Sequence, residues 1–386
     1  MSLIEREDTA RVLPTRPILM TADPIGGVWQ YALELCRELA KRDVNVVLAT
    51  MGRQLERGER ALICDLQNVE LRESSYKLEW MNEPWSDVEA AGQWLLELEA
   101  RFQPSLIHLN QYSHGAIPWN VPVLVVGHSC VYSWFEAVTG APPGPEWRSY
   151  REAVRLGLQG ADLVTAPSRS MLSSLEKHYG RFAAAEPIYN GRSGARFAPG
   201  KKEDYIFTAG RLWDEAKNIA SLNSIVGKVP WPIYAAGESR APDGKQALVE
   251  GPNLLGRLDP EMLGQWFRRA AIFISPARYE PFGLSALEAA LCGCALVLGD
   301  TESLREIWHD AALFVRPEDP EHIRATLVAL IANPSLREDF SRRARKRADS
   351  FTPERMAQAY LEIYAKLLRA QRGLFSEQMT HGEYPS

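Results

Sequence analysis

Five cysteines in 386 residues, an odd number, are too scattered for a disulfide framework, and none stands at a spacing that would hold a metal. The close pair Cys292-Gly293-Cys294 lies in an apolar stretch and reads as small buried side chains. Long apolar runs are missing as well. No stretch of about 18 apolar residues occurs, which excludes a membrane-spanning helix. Residues 1–11 carry charge throughout where a secretion signal would have an apolar centre. The expectation is a cytoplasmic protein with reduced thiols. Charge of one sign is not in excess either: a formal net charge of −5 argues against nucleic acid as the main partner. One basic run, residues 342–347, is a candidate for peripheral contact with an anionic membrane; its plainer reading is a solvated helix face. Repeats at a period of tens of residues are absent.

What is present is alternation. The chain is too long for one comfortable core and suits two domains, and 46% hydrophobic with 24% charged residues is ordinary for a folded globular protein. Residues 17–20 read as a strand, 23–27 as a glycine-containing turn, and 28–42 as a helix with Val28, Ala32, Leu35 and Leu39 on one face. With a strand at 44–50 this makes a βαβ unit, whose ligands gather at the carboxyl ends of strands. The pattern continues to the 170s, breaks in a glycine, proline and charged stretch at 192–204, and restarts with strands at 205–209, 232–236, 253–255, 271–275, 295–298 and 313–315. The fold class is α/β, with two Rossmann-like doubly wound domains facing across a cleft. A last helix covers about 353–372, and 373–386 read as a flexible tail.

The densest site-like stretch is 280–288, which follows the apolar run 271–275 and opens a helix. Free backbone N–H groups at Gly283 and Leu284 would face an anion, and glycine lets a phosphate approach closely. Glu280 and Glu288 add acceptors for hydroxyl groups, Glu288 for a ribose edge and Glu280 for a hexose. Ser285 with Glu288 also fits a capping box, in which neither serves a ligand. A second cluster, Arg211 and Lys217, follows the run 205–209 and precedes a helix-like segment; two cations at a strand end suit a diphosphate. The pair Gly26-Gly27 is a candidate for phosphate or acceptor contact.

Taken in order, these residues resemble the retaining glycosyltransferases of family 4 over about residues 17–368. The resemblance rests on Gly26-Gly27 after the first strand, a strand ending in His128, the turn Tyr189-Asn190-Gly191, Arg211 with Lys217, and Glu280 with Glu288. It implies a GT-B fold with residues 1–191 as acceptor-side domain, 192–352 as donor-binding domain and helix 353–372 packing back on the first. It implies an enzyme that moves a hexose from a nucleoside diphosphate sugar to a hydroxyl of a glycan, lipid or small molecule. Arg211 and Lys217 would hold the donor diphosphate, Glu280 the sugar, Glu288 the ribose, and His128 a sugar hydroxyl near the reacting carbon. Substitution would run on the front face with retention, the leaving phosphate taking the proton, since no residue stands out as a base. No cofactor beyond the donor is expected, and no Asp-x-Asp metal site occurs.

Two positions depart from the family pattern: Asn218 where glycine is common, and Arg192-Ser193 where an apolar-acidic pair is usual. Neither coincides with a proposed chemical group. Other readings are a non-catalytic sugar-nucleotide-binding module and a sugar-nucleotide epimerase. The module is disfavoured because four retained charges without a ligand would carry a desolvation cost. Without the family, His128 and His108 read as core histidines. Asn110, Tyr112 and His114 are candidates for the acceptor side, and Trp80, Trp85, Trp119 and Trp134 for packing before stacking.

Overall fold

The computed structural model describes residues 13–241, 244 and 246–380, with side chains up to 371; the leader at 1–11 and the last residues 381–386 lie outside the described residues. The first sheet is built from β1 (Ile18–Ala22), β2 (Val46–Thr50), β3 (Val69–Glu73), β4 (Leu106–Leu109), β5 (Val123–Val126), β6 (Leu163–Ala166) and β7 (Ala185–Pro187). The helices of this lobe are α1 (Gly27–Ala40), α2 (Arg57–Cys64), α3 (Trp85–Phe102), α4 (Val131–Thr139), α5 (Arg148–Gly160) and α6 (Arg169–Tyr179). The second sheet holds β8 (Glu203–Ala209), β9 (Ile233–Ala236), β10 (Asn253–Gly256), β11 (Ala270–Ser275), β12 (Ala295–Gly299) and β13 (Leu313–Val315). Around it lie α7 (Pro260–Arg269), α8 (Leu284–Leu291), α9 (Glu302–Trp308), α10 (Pro320–Ala332) and α11 (Pro334–Ala348). The closing helix is α12 (Pro353–Thr380).

Every strand pair in both sheets is parallel. Such sheets are covered on both faces, so their central strands are continuous apolar runs rather than alternating ones. β11, Ala-Ala-Ile-Phe-Ile-Ser, is buried along its whole length. Its Phe273 packs with Phe207, Phe267 and Leu287 on one face while Ile272 and Ile274 pack with Leu327 and Leu330 on the other.

Strand order fixes where ligands can enter. The first sheet runs β3-β2-β1-β4-β5-β6-β7 and the second β10-β9-β8-β11-β12-β13. In each, successive connections reverse direction at one boundary, between β1 and β4 and between β8 and β11. A crevice opens at the carboxyl ends of strands at such a reversal. The turns after β1 and β4 carry Gly26-Gly27 and Asn110, and those after β8 and β11 carry Arg211, Lys217 and Glu280.

The closing helix α12 packs on α1, and its Tyr360 and Tyr364 join the first lobe's core beside Tyr31. It runs through Thr380, past Gly373, where the sequence predicts a flexible tail. In α11 the basic run is largely engaged within its own lobe: Arg342 and Arg343 pair with Asp339, Arg345 donates to Leu291 O at 3.3 Å, and Arg347 donates to Ile307 O at 2.6 Å. Among the described residues no helix is long and apolar enough to cross a membrane.

Candidate active site

At the end of β8 the chain does not enter the expected helix. It makes 3-10 turns at Glu215–Lys217 and Ile219–Ser224, joined at Asn218 with φ 55°. This left-handed conformation explains the first departure from the family pattern: asparagine tolerates it next best after glycine. Asn218 also adds what glycine cannot, two Nδ2 bonds to Pro276 O at 3.0 Å and Pro317 O at 2.8 Å. Those bonds, with Arg278 N–H on Ala216 O at 2.8 Å, tie the β8 turn to the β11 turn. Lys217 is thereby set against Glu280, its Nζ 2.5 Å from Oε2. Ser303 Oγ donates to Glu280 O at 2.6 Å and steadies the β11 turn from α9.

α8 begins after Gly283, whose φ of 89° admits glycine readily. Its N-terminus has no side-chain cap, so the capping-box reading of Ser285 and Glu288 is corrected. The free N–H groups of its first turn, at Leu284 and beyond, are left for another acceptor.

The first lobe comes to meet these groups. A Cβ added at Gly26, φ 99°, would lie 3.5 Å from Arg211 Nη1, and one at Gly27 would lie 3.3 Å from Leu284 Cδ1. The start of α1, the start of α8 and the Arg211 guanidinium therefore converge on one crevice. Arg211 is braced by Asp214, Nη2 to Oδ2 at 2.7 Å, and lies over the Trp213 ring at 5.3 Å. Asp214 is in turn held from the first lobe by Trp134 Nε1 at 2.9 Å. Burial alone would raise the Asp214 carboxyl, but the neighbouring Arg211 and Lys217 hold it below its usual range. Of the tryptophans considered, Trp134 is thus a crevice residue, whereas Trp80 and Trp119 pack against the first lobe's core and Trp85 stands 36% exposed.

His128 is half-buried just past β5, with Nε2 2.7 Å from Asn110 Oδ1 and its ring edge-on to Tyr31. Asn110 Nδ2 is spent on Thr21 O at 2.6 Å, so Oδ1 accepts and His128 carries its proton on Nε2. Burial lowers the imidazole to about 3, so it is neutral, with Nδ1 free to accept from a hydroxyl. His108 is a core residue, bonded to Tyr31 OH at 3.1 Å and Tyr364 OH at 2.6 Å. Tyr112 and His114 are corrected away from the acceptor side: both are buried, bonded to Ser129 O at 2.7 Å and Val88 O at 3.0 Å.

Two further residues carry weight that the sequence did not disclose. Asp23, at the end of β1, is 7% exposed, with Oδ1 accepting from Ile25 N–H at 2.9 Å. Burial pushes its carboxyl up to about 7, against the pull of that N–H and of Arg211 and Arg53. The second is Arg192. The sequence gives it no chemical partner; in the structure its Nε lies 2.7 Å from Glu288 Oε1 and its Nη1 2.9 Å from Glu34 Oε1. Glu288 is thus paired with this linker arginine and not with the Arg211 and Lys217 cluster. Lys217, Arg211 and Glu288 all have internal partners, so no ligand is needed to balance them and desolvation does not disfavour a non-catalytic module.

Two family models match consecutive parts of the chain, Glycosyltransferase Family 4 over residues 25–193 and Glycosyl transferases group 1 over 195–347. The chain belongs to the group 1 glycosyl transferases. Their junction falls beside Arg192, where the two lobes meet. A D-inositol 3-phosphate glycosyltransferase of Thermomonospora curvata is 24% identical over 88% of this chain and 90% of its own length. An O-antigen chain mannosyltransferase B of Escherichia coli is 34% identical over 30% of each. Among solved structures, a sucrose-phosphate synthase of Thermosynechococcus elongatus superposes with a TM-score of 0.76 at 18% identity, over 92% of this chain and 100% of that one. HepE of Anabaena, solved with UDP-glucose, gives 0.72 at 16% identity, over 91% and 100%. The glycosyltransferase has the GT-B fold, two parallel-sheet lobes with a crevice between them.

Proposed function

We propose that this glycosyltransferase moves a hexose from a nucleoside diphosphate sugar to an acceptor hydroxyl with retention of anomeric configuration, using side-chain cations rather than a metal. The observation that carries the reading is the meeting of Gly26 with Arg211 Nη1 at the junction of both sheet reversals. At that point two helix starts and two cations can share one diphosphate. As the bond to the anomeric carbon breaks, charge grows on the bridging oxygen, and Lys217 and Arg211 meet it where it grows. Among the described residues no three His, Cys, Asp or Glu side chains converge as a metal-ligand set.

Engagement of Lys217 by the diphosphate frees Glu280 to accept from the sugar hydroxyls. His128, neutral and with Nδ1 open, accepts from another. The two together fix the face on which the acceptor oxygen attacks, and positioning of this kind supplies several kcal/mol of the roughly 7–11 available from proximity. The departing phosphate oxygen takes the acceptor proton on that same face. Glu288, on the second turn of α8, receives the ribose. UDP-glucose, the ligand of the structural relative HepE, is the first donor to try, and a phosphorylated polyol is the first acceptor by similarity to the inositol phosphate enzyme. A cytoplasmic site of action is inferred with it, supported by five free cysteines of which four are buried.

The test is a transfer assay across UDP-, ADP- and GDP-hexoses with the anomeric configuration of the product read by NMR. An α-linked product from an α-linked donor is expected. An inverted product would refute the front-face reading, and donor conversion without any acceptor would point to an epimerase.

A further inference from the structure

The buried triad Glu34, Arg192 and Glu288 joins three parts of the chain that meet only in the folded crevice: α1 of the first lobe, the linker, and α8 of the second. Side-chain exposures are 6% for Arg192, 6% for Glu34 and 9% for Glu288. Arg192 is held on every side. Its N–H donates to Phe351 O at 3.0 Å, Nη1 also reaches Gln30 Oε1 at 3.2 Å, and its guanidinium lies over the Phe197 ring at 5.2 Å. A guanidinium so fixed uses one nitrogen for each lobe, which a lysine could not reproduce with the same geometry. Glu288 offers Oε1 to it, while among the described residues no protein group bonds Oε2.

Building on the ribose role given to Glu288 above, we propose that Arg192 is a positioning residue which turns Glu288 Oε2 toward the donor ribose and ties that grip to the first lobe through Glu34. A bare carboxylate at this depth would be driven toward its neutral acid, whose hydrogen bond to a hydroxyl lacks charge assistance and favours that hydroxyl less. Burial does raise Glu288, and Arg192 opposes it. The charged groups facing Glu288 are Arg192 and Glu34, with Arg37 behind Glu34 at 3.9 Å. On its own helix's end Cys292, pushed up to about 12 by burial against the opposing pull of Lys202 and Arg268, stays neutral through the working range. From α11, Arg345 turns to Leu291 O at 3.3 Å.

The experiment compares binding of UDP, ADP and GDP, and of the 2′,3′-dideoxy form of the tightest, to the full chain by calorimetry. The parent is expected to prefer the ribose form by about 10- to 100-fold, the scale of one or two charge-assisted hydrogen bonds. Arg192→Met should cut that preference about tenfold at the acid end of a pH series and recover part of it toward the alkaline end, as the unsupported carboxyl ionises. The parent's preference should change less over the same series, because Arg192 opposes the rise. Recovery at high pH is a response that a mere packing defect would not give. If Arg192→Met does not fold, Arg192→Gln, which keeps a donor and loses the charge, must show the same pH-dependent loss. A preference retained in full at every pH by the folded variant overturns the proposal while leaving the ribose reading intact. A parent with no preference overturns the ribose reading itself, and the proposal with it.

Discussion

Replacing Asp23 by asparagine isolates the cost of ionising a carboxyl at the end of β1. In the native protein this group titrates near 7 against an ordinary 3.8, because burial outweighs the Ile25 N–H and the fields of Arg211 and Arg53. The folded state therefore keeps a proton that the unfolded chain has already lost between those two values. Stability must fall as pH rises through that window and level off above it. The full difference is about 4 kcal/mol, of which about 2.5 kcal/mol develops between pH 5 and pH 8. Asparagine keeps an oxygen for the Ile25 N–H and has no proton to lose, so Asp23→Asn should gain about 2.5 kcal/mol on the parent over that interval. Denaturant titrations at both pH values, followed by tryptophan fluorescence and fitted to the first lobe's transition, measure the gain. Parent and variant curves that shift in parallel between pH 5 and pH 8 would show that Asp23 is solvated and ionised at both, and would refute the reasoning.

Other perturbations address the remaining contacts. Lys217→Ala should lower turnover by about a hundredfold or more, the scale of losing one transition-state charge stabiliser, and steady-state kinetics with saturating donor reads it directly; unchanged turnover removes the diphosphate role. Glu288→Ala should weaken donor binding by about 1.5–3 kcal/mol by calorimetry, and parental affinity would contradict a ribose contact. Trp134→Phe removes a donor from the buried Asp214 carboxylate and loosens its hold on Arg211; donor kcat/KM should drop about tenfold, and no change would mean that Arg211 is positioned without it. Asn218→Gly keeps the left-handed backbone but loses two hydrogen bonds, whereas Asn218→Ala loses both and adds about 1–2 kcal/mol of strain, so melting temperatures should rank parent, glycine, alanine.

The α/β plan and the order of the site residues were legible because parallel strands buried on both faces leave unbroken apolar runs, and helix starts after them collect glycines and charges. The parts that escaped notice are those whose signal is short or shared. β3, Val-Glu-Leu-Arg-Glu, alternates and stands at a sheet edge, and the three residues of β7 also end a sheet. β3 is too polar, and β7 too short, to stand out from loop sequence. Asp23 passed for a turn former, which it is, since it accepts from the N–H two residues on; nothing local reveals that the same carboxyl is sealed from water. Asn218 looked like a deviation until its positive φ showed that asparagine meets the requirement glycine would have met. Arg192 gives no local signal because its contacts lie 158 and 96 residues away, on helices of two different lobes.

On the donor-binding reading proposed above, these internal pairs change what donor binding means in energetic terms. Had Lys217, Arg211 and Glu288 stood unpaired, each would add its full attraction to the incoming nucleotide, and affinity would come at the expense of a strained empty site. Instead Lys217 rests on Glu280 and Arg211 on Asp214, so the diphosphate has to draw Lys217 from a carboxylate already in contact. Breaking such a pair is costly when one partner is left buried and alone. A nucleoside diphosphate without a sugar leaves Glu280 in that condition; the intact donor supplies hydroxyls to it. The sugar therefore contributes to binding partly by satisfying a group that the phosphates have just released. On that reading Lys217 would be committed to the leaving phosphate only when a sugar is present to be transferred, which would concentrate its effect on the transition state rather than on the bound nucleotide.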